Sequence, residues 1–391
     1  MSLRILFVTH GPADPRTAVF LNVTSRAEHL RREGHTVDIV TPQDVGVTRT
    51  AGIGPLLFGL AVAVRARPFS YDLVVFHSHS AWPSIWLRPL VARAAGTRMI
   101  VSFHGLEPLY HAVADRELAR RSGGRGYSRR FHLLHRVLLH RLLASSCRHA
   151  DAALCLNTAE HDYLVEHEWS VADRVCIVAN GIEPSMLAAR AHQGRGTRLV
   201  FLGQWLAAKG TASLVEAFTA VAAEDADVRL VCAGTGASAD TVLADFPEHL
   251  RARVTVLASL DREGIGNLLH ASDVFVCPSL SEGFSGALLE SMAAGLAIAA
   301  TPAGAAADIL AHGENALIVP FGDSAALASA IRTLVGDAAL RQRLGAAAHR
   351  TARSFQWSAV NADYARTLME VVRTGSASGD RRPRVRHHAA C

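Results

Sequence analysis

Short apolar runs alternate with helical segments along almost the entire chain, and this alternation constrains the fold more than any other feature of the sequence. In the first half, the runs are Leu3–Thr9, Thr36–Val40, Asp72–Phe76, Met99–Phe103 and Ala152–Leu156. Most are rich in Val, Ile, Leu or Phe and lack polar alternation, which is typical of strands covered on both faces. Helical periodicity fills the intervals, as in Ala18–Glu33, closed by Gly34, and Ser84–Ala95, which lies between Pro83 and Gly96. This half of the chain therefore predicts a doubly wound α/β sheet.

A second series of strands and helices follows a polar interval. Its apolar runs are Arg198–Leu202, Val228–Cys232, Val254–Leu257, Asp273–Cys277, Ala297–Ala300 and Ala316–Val319. The polar, glycine-containing stretch Ala188–Thr197 reads as a linker. We therefore predict two Rossmann-like, doubly wound parallel-sheet domains, 1–187 and 188–357, which face each other across a ligand-binding cleft. A last amphipathic helix over 358–373 is expected to cross back onto the first domain, and 374–391 is expected to be disordered.

The composition fits two buried cores and no membrane span. The chain has 391 residues, of which 50% are hydrophobic, enough for two domains. The most apolar window, Leu56–Val64, has about half the length that a membrane span needs, and the opening MSLRILFVTH resembles a strand rather than a signal peptide. The formal net charge of +5 permits an anionic partner without requiring one. We expect a cytoplasmic protein, with peripheral attachment to the inner membrane face as an alternative.

Two sheet domains are also typical of nicotinamide oxidoreductases, so the dinucleotide fingerprint must be tested. That fingerprint places GxGxxG directly after a strand. After the first run this chain reads THGPADPRTA, which lacks the spaced glycines, and the later segment CAGTGASAD has only the first two. Hydride transfer therefore remains a minor alternative.

The second predicted domain carries a stronger pattern of candidate site residues. In FLGQWLAAKG, Gly203 ends a strand and Lys209 precedes a helix, where an ammonium group can meet a phosphate. On its own, a solvated lysine at a helix start is the commoner interpretation. The segment SDVFVCPSLSEGFSGALLESMAAG then ends a strand at Pro278, frees the backbone at Gly283 and starts a helix near Ser285. The exposed N–H groups of that helix favour an anion.

Two glutamates, Glu282 and Glu290, lie eight residues apart in this segment. If all eight steps were helical, the rise between them would be roughly 12 Å. The carboxylate pairs of glycosidases lie about 5 to 9.5 Å apart and face one bond. We therefore interpret Glu282 and Glu290 as two contacts on one elongated ligand rather than as an acid–base pair. The apolar neighbours of Glu290 indicate a carboxylate with a hydrogen-bonding task.

These segments resemble those of GT-B retaining glycosyltransferases, specifically the large family 4 group. SEGFSGALLESMAAG is similar to their motif of two glutamates separated by seven residues. Further similar segments are LGQWLAAKG, Asn180–Glu183, SFHG ending at Gly105, GENALIVPFGD at 313–323, and FQWS before the final helix. Together they cover nearly the whole chain, and the combination is much more specific than any one segment.

The resemblance implies a nucleotide-diphospho-sugar donor on the second domain, an acceptor on the first, and no cofactor or metal. The implied donor-binding residues are Gly203, Gln204, Lys209, Glu282, Gly283, Phe284, Ser285 and Glu290. Among them Glu290 would bind the ribose, and Glu282 with the backbone of Gly283 and Phe284 would address the sugar. His104, Lys209 and Glu282 would be the catalytic residues, with His104 near the reacting centre and Lys209 on the departing diphosphate. The family proceeds with retention at the anomeric carbon.

Three positions depart from the family pattern. Gln204 replaces the usual arginine, GAAAD replaces the usual paired glycines and glutamate with Ala305 and Asp308, and HGPADPRTAV replaces the first glycine-rich loop. Arg16 could supply a phosphate contact from that loop, although a solvated arginine is the commoner interpretation. The missing charge at Gln204 keeps open the alternative of a binding or scaffold protein with weak turnover.

Two sequence motifs are typical of metal sites, but we expect neither of them to bind a metal here. Asp225-Ala226-Asp227 matches the DxD motif of the other glycosyltransferase fold but lies in a polar turn. His77 and His79 could ligate a metal, yet no carboxylate or cysteine lies nearby in sequence.

The segment 116–149 is unusually basic, with nine arginines between Arg116 and Arg148. Its apolar residues Phe131, Leu134, Leu138 and Leu142 are predicted to share one helix face, opposite Arg129, His132, Arg136 and His140. Such a helix could touch an anionic membrane that carries a lipid-linked acceptor, or pack on the core of the first domain. Nucleic acid is not expected as a partner, because no aromatic platform accompanies the charges.

Overall fold

The structure is a computed structural model that describes residues 2–10, 17–48, 53–91, 96–121, 133–187 and 196–375. Its residue contacts divide the chain into two compact units. Unit 1 comprises Met1–Pro108, Tyr127–Gly181 and Trp357–Arg384, and unit 2 comprises Leu109–Gly126, Ile182–Gln356 and Val385–Cys391. Most of the predicted linker and the tail 376–391 lie outside the described residues.

Unit 1 is built on a six-stranded parallel sheet of order β2-β1-β3-β4-β5-β6. The strands are β1 Arg4–Val8, β2 Thr36–Val40, β3 Leu73–His77, β4 Arg98–Ser102, β5 Ala152–Cys155 and β6 Val175–Ile177. The described helices, numbered along the chain, are α1 Ala18–Arg32, α2 Gly54–Arg65, α3 Trp82–Leu87, α4 Glu107–Arg121, α5 His140–His149, α6 Thr158–Glu166 and, near the end, α14 Trp357–Thr374. From Leu109 onward, α4 is counted with unit 2.

Unit 2 contains a second six-stranded parallel sheet, of order β12-β11-β10-β7-β8-β9. Its strands are β7 Arg198–Leu202, β8 Arg229–Ala233, β9 Val254–Leu257, β10 Val274–Cys277, β11 Ala297–Ala300 and β12 Leu317–Ile318. Its helices are α7 Thr211–Glu224, α8 Ala239–Ala244, α9 Arg262–His270, α10 Gly286–Ala293, α11 Ala306–Ile309, α12 Ser324–Gly336 and α13 Ala338–Ala352. The two sheets confirm the predicted fold class, a pair of doubly wound parallel sheets.

The strand predictions hold with one omission, and one helix prediction is wrong. Each of the predicted apolar runs overlaps a strand, whereas β6 was not predicted because it is only 3 residues long. The helix predicted over 84–95 ends at Leu87 and continues as a 3₁₀ turn over Arg88–Leu90. Pro89 lacks the N–H that an α-helix would require there, and 92–95 lie outside the described residues.

The predicted apolar face of the basic segment is also wrong. Leu133–Leu139 is a π-helix, whose i→i+5 hydrogen bonds add a residue to each turn. Residues spaced three or four apart therefore do not align, and Leu138 is 42% exposed. The buried face instead contains Leu139, Leu143 and Cys147. Phe131, Arg129 and His132 lie outside the described residues.

Helix α14 joins the core of unit 1 although it lies at the far end of the sequence. Tyr364, Leu368 and Val371 from α14 are buried with Phe7 of β1 and with Val23, Ala27 and Leu30 of α1. None of the helices in the described part of the chain is long and apolar enough to cross a membrane.

Candidate active site

Lys209 is the only lysine in a sequence that otherwise uses arginine for every fixed positive charge. It ends a 3₁₀ turn, Ala207–Lys209, between β7 and α7. Gly210 follows with φ of 69°, and a Cβ at this position would lie 1.9 Å from the carbonyl oxygen of Pro278. Because only glycine permits this approach, the turn packs directly on the segment that follows β10. The Leu280 N–H then donates to the Ala208 carbonyl at 2.8 Å.

Lys209 and Glu282, two of the predicted catalytic residues, form an ion pair. Lys209 Nζ lies 2.6 Å from Glu282 Oε1, and the two side chains are 24% and 11% exposed. Ser279 donates its hydroxyl to the same carboxylate oxygen at 2.8 Å. Burial disfavours the ammonium group, but the charge and hydrogen bond of Glu282 outweigh it and raise the pKa of Lys209. Lys209 is therefore protonated at neutral pH.

A glycine on the neighbouring loop fixes the backbone at Glu282 and Gly283. Gly304 has φ of 56°, and a Cβ there would lie 2.2 Å from the Glu282 carbonyl oxygen. The next residue, Ala305, donates its N–H to the Gly283 carbonyl at 2.9 Å. The departure at Ala305 from the family pattern is thus compatible with this contact, since the contact uses the backbone.

Helix α10 begins directly after these residues. Ser285 is its N-cap, and the hydroxyl of Ser285 accepts from the Leu288 N–H at 3.3 Å. Phe284 is buried, and its ring lies 5.7 Å from that of Phe355. The predicted helix start is therefore confirmed, and the positive end of the α10 dipole lies next to Glu282 and Gly283 in the chain.

Glu290 lies in the second turn of α10 and has a different basic neighbour. Arg262 Nη1 is 3.7 Å from Glu290 Oε1. Burial raises the pKa of Glu290 to about 7, against the opposing charge of Arg262. Because α10 begins only at Gly286, the steps from Glu282 to Glu290 are not all helical, and the predicted rise of roughly 12 Å is wrong. The two glutamates nevertheless have separate environments, one beside Lys209 and one beside Arg262.

Gly203 and Gln204 follow β7 at the same end of the sheet. The Gly203 N–H donates to the Ala233 carbonyl at 2.9 Å, which continues the pairing of β7 with β8. Gln204 is exposed. It contributes an uncharged side chain where the family pattern has a cation.

In unit 1, the predicted catalytic residue His104 follows β4 and stacks on His77. Their ring centroids are 4.6 Å apart with an interplanar angle of 18°. Burial lowers the pKa of His104 to about 3, with smaller contributions from Arg26 and His10. His104 is therefore a neutral imidazole at physiological pH.

His79, the second histidine considered as a metal ligand, pairs with the carboxylate of Glu107, which is distant from it in sequence. Its Nε2 lies 3.1 Å from Glu107 Oε2, and the Ser78 hydroxyl donates to Glu107 Oε1 at 2.7 Å. Burial disfavours the carboxylate, but the charge and hydrogen bond of His79 and the hydrogen bond of Ser78 lower the pKa of Glu107 to about 2. Within the described residues, no three His, Cys, Asp or Glu side chains are grouped as a metal site would require.

The DxD segment is a local turn. Asp225 Oδ1 accepts from the Asp227 N–H at 2.8 Å, an Asx-type bond that closes the turn. Arg16, the other residue considered for phosphate contact, lies outside the described residues.

Comparison with known proteins places both units in one family. A family model described as Glycosyltransferase Family 4 matches residues 23–186, and one described as Glycosyl transferases group 1 matches residues 196–337. The alpha-maltose-1-phosphate synthase of Mycobacterium tuberculosis H37Rv is 30% identical over 311 residues, or 73% of this chain and 76% of that protein. The phosphatidyl-myo-inositol mannosyltransferase of Mycobacterium leprae is 30% identical over 207 residues. That match covers 51% of this chain and 54%, or about half, of the mannosyltransferase.

A solved structure shares the architecture at low sequence identity. Anabaena HepE in complex with UDP and glucose aligns with a TM-score of 0.65 and 18% identity, over 94% of this chain and 100% of that chain. At this identity the likeness shows the fold, which matches the two sheets described above. The two family models match most of the chain, and a relative that is 30% identical is covered over 76% of its length. This chain therefore belongs to the family 4 group of GT-B glycosyltransferases.

Proposed function

We propose that this protein transfers a sugar from a nucleotide-diphospho-sugar to a glycan, a lipid-linked sugar or a small-molecule acceptor. The transfer proceeds with retention at the anomeric carbon and without a metal ion. The observation that carries the proposal is the 2.6 Å contact between Lys209 Nζ and Glu282 Oε1, in the segment that leads into α10.

A diphosphate fits this part of unit 2 on electrostatic grounds. The ammonium group of Lys209 and the first N–H groups of α10 both favour negative charge. A diphosphate carries more negative charge than one carboxylate, so we expect it to replace Glu282 as the partner of Lys209. The released carboxylate of Glu282 then accepts hydrogen bonds from the donor sugar, together with the backbone of Gly283 and Phe284.

The same groups assist departure of the nucleotide diphosphate. The bond between the anomeric carbon and the phosphate oxygen breaks, and the electron pair leaves with the nucleotide diphosphate. An acceptor hydroxyl forms the new bond on the same face, and its proton passes to the departing phosphate oxygen. Lys209 and the helix N–H groups, fixed before the reaction, stabilise the charge that develops on the departing oxygen. In this proposal they take the role that a metal ion has in other transferases.

Glu290 completes the donor site by binding the ribose. Its side chain is only 18% exposed, so hydroxyl donors from a ligand would compensate for the lost hydration of the carboxylate. Gly203, Gln204 and Ser285 line the rest of the donor site in this proposal. HepE, solved with UDP and glucose, supports a nucleotide of this type as the donor.

His104 acts from unit 1. As a neutral imidazole it has one donor and one acceptor nitrogen, which suits contact with sugar hydroxyls near the reacting carbon. Two relatives have phosphate-containing compounds in their names, a phosphatidyl-myo-inositol mannosyltransferase and an alpha-maltose-1-phosphate synthase, whereas another is named glycogen synthase. The first two names favour an acceptor that carries a phosphate group.

We further propose peripheral contact with an anionic membrane through 116–149, with the reaction in the cytoplasm or at the inner membrane face. The described part of this segment exposes Val137 and Leu138, at 44% and 42%. Segment 116–149 contains nine arginines and one carboxylate, that of Glu117, so these exposed apolar side chains lie within a strongly basic segment.

A screen for stabilisation by nucleotide diphosphates tests the donor proposal first. We expect one of UDP, GDP and ADP to raise the melting temperature by mass action, and its sugar conjugates then to serve as donors. A scaffold would also be stabilised, so the decisive observation is release of nucleotide diphosphate with a new glycosidic product detected by mass spectrometry. Stabilisation without any product would favour the scaffold alternative.

A further inference from the structure

Six polar side chains near the carboxyl end of the unit 1 sheet have buried polar atoms without a hydrogen-bond partner among the described residues. The residues are Thr9, Arg26, His77, Ser102, His104 and Tyr364, and we call this cluster the unit 1 niche. Nine of their nitrogen and oxygen atoms are buried without a hydrogen-bond partner in the described structure: Thr9 Oγ1, Arg26 Nε and Nη1, both ring nitrogens of His77 and His104, Ser102 Oγ and Tyr364 OH. Buried polar atoms are normally hydrogen-bonded, so this concentration indicates a ligand-binding position.

Strand register places three of these residues on one face of the sheet. Val8 pairs with Phe76, so Thr9 and His77 continue neighbouring strands at the same level. His77 in turn pairs with Ser102. Side chains two residues apart share a face, and Phe7 and Val75, two residues before Thr9 and His77, belong to the core that α1 and α14 cover. Thr9, His77 and Ser102 therefore point to the face on which Arg26 and Tyr364 lie.

Ring contacts connect the members of the niche. The Arg26 guanidinium carbon lies 4.4 Å from the centroid of the Tyr364 ring. The ring of Phe7 lies 6.3 Å from Tyr364 and 6.1 Å from His77, and His77 stacks on His104 at 4.6 Å. These contacts join Arg26 on α1 to His104 after β4.

Arg26 is fully buried, with 0% exposure, and has no carboxylate partner among the described residues. Within the described part of the chain, its side chain donates one hydrogen bond, from Nη2 to the Ala179 carbonyl at 3.1 Å. Guanidinium stays protonated in proteins, so it cannot relieve burial by losing its proton. A buried charge of this kind is costly unless an opposite charge is bound beside it. Among the described residues, the niche thus has one positive charge and no negative charge to balance it.

The donors of the niche suit a phosphate group better than a carboxylate. Arg26 offers Nε–H and the Nη1 donors, and Thr9, Ser102 and Tyr364 each offer a hydroxyl. Burial lowers the pKa of both His77 and His104, so each is neutral and offers one N–H. A carboxylate has two oxygens for these donors, whereas a phosphate group has up to four, and the fork of arginine matches its geometry.

We propose that the unit 1 niche binds a phosphate group and that Arg26 is its charged ligand. Resting on the proposed sugar transfer, we assign this phosphate to the acceptor, because His104 belongs both to the niche and to the catalytic residues. The reaction class that supplies the acceptor is then a phosphorylation or another step that forms a phosphate ester.

The test measures binding of inorganic phosphate, glucose 1-phosphate and glucose by calorimetry, without turnover. All proteins carry Lys209→Met, which removes the anion-binding ammonium group of unit 2. We expect phosphate binding in this background and a Kd about tenfold to a hundredfold weaker after Arg26→Met, because a hydrogen bond to a charged group is lost. Arg32→Met, the same change at an exposed position of α1, should leave the Kd unchanged.

Melting temperature without ligand gives a second readout. Arg26→Met removes an unbalanced buried charge, so the melting temperature should rise while phosphate binding falls. A lower melting temperature with unchanged phosphate binding would overturn the proposal and leave Arg26 a structural residue beside ordered water. If Arg26→Met does not fold, Tyr364→Phe removes one donor and keeps the ring under the guanidinium. An unchanged Kd in that variant also overturns the proposal.

The three ligands separate an acceptor from free phosphate. Tighter binding of glucose 1-phosphate than of inorganic phosphate supports an acceptor site, and equal binding overturns the assignment to the acceptor. Because binding is measured without a donor, these results do not depend on whether the protein transfers a sugar.

Discussion

Lys209 Nζ lies 2.6 Å from Glu282 Oε1, and Lys209 is the only lysine in the chain. An amine-selective acylating reagent therefore reports on this residue, with the N-terminal amine as an internal reference. Because Glu282 raises the pKa of Lys209, Glu282→Gln should increase the neutral fraction and accelerate acylation. The cognate nucleotide diphosphate should slow it. Peptide mapping by mass spectrometry measures both effects, and equal acylation rates in wild type and Glu282→Gln would show that the ion pair is absent in solution.

The raised pKa of Glu290 predicts that the stability of the protein depends on pH. Its pKa rises from 4.5 to about 7 on burial, so the folded protein holds more protons than the unfolded chain between these values. Stability should therefore fall as pH rises from 4.5 to 7, by up to about 3 kcal/mol from this residue. Glu290→Gln should flatten this part of the profile in urea unfolding, whereas the exposed Glu314→Gln should not. Identical slopes in Glu290→Gln and wild type would contradict the buried carboxylate.

The same residue predicts a pH dependence of ligand binding. Ribose hydroxyls donate more strongly to a carboxylate than to a carboxylic acid. The affinity for the cognate nucleotide diphosphate should therefore increase as pH rises through 7, and Glu290→Gln should remove the increase. Isothermal titration at pH 6, 7 and 8 measures this, and parallel affinities of wild type and Glu290→Gln across the range would argue against ribose binding by Glu290.

A side chain at position 304 should disturb the donor site, because Gly304 lies against the backbone of Glu282. Its Cβ would lie 2.2 Å from the Glu282 carbonyl oxygen, whereas a Cβ at Gly313, which also has a positive φ, meets nothing within 4 Å. Gly304→Ala should therefore displace Glu282 and weaken nucleotide diphosphate binding about tenfold or more, if one charge-assisted contact is lost. Gly313→Ala bears similar backbone strain without the clash and should retain binding. Equal affinities of the two variants would mean that Gly304 does not position Glu282.

The basic segment predicts salt-sensitive membrane binding. Leu138→Glu should reduce sedimentation with anionic vesicles, because it places a carboxylate within the exposed apolar and basic surface. Val171→Glu changes a residue of the same unit that is 60% exposed and should leave sedimentation unchanged. Binding of the wild type should fall as salt is raised, and similar sedimentation of all three proteins would remove the membrane proposal.

The fold could be predicted because local signals suffice for it. Buried parallel strands are continuous apolar runs, and α1 is followed by the predicted closing glycine, Gly34. Strand β6 was not predicted because a strand of 3 residues is too short to show a recognisable apolar run. The prediction of which residues form the apolar face of the basic segment was wrong because Leu133–Leu139 is a π-helix, to which the periodicity of an α-helix does not apply.

The candidate site was predictable where its residues lie in one segment, and not where the fold brings distant segments together. The sequence motif around Glu282 was enough to predict a role for that carboxylate. The hydrogen bond from Ser279 and the close approach of Gly304 could not be predicted, because they depend on how the loops after β10 and β11 pack together. Glu107 lies 28 residues from His79 in sequence and 3.1 Å away in the structure. The composition also distinguishes Lys209, because it is the single lysine among the 40 lysine and arginine residues of the sequence.

Release of nucleotide diphosphate from the cognate sugar donor tests the central claim most directly. In the presence of acceptor, wild type should release it at a rate that falls about a hundredfold or more in Lys209→Met, because one preorganised positive group in the transition state is lost. Glu290→Gln should slow release by weakening donor binding, and Glu314→Gln should match wild type. Release at the wild-type rate in both Lys209→Met and Glu290→Gln would contradict the assignment of this site.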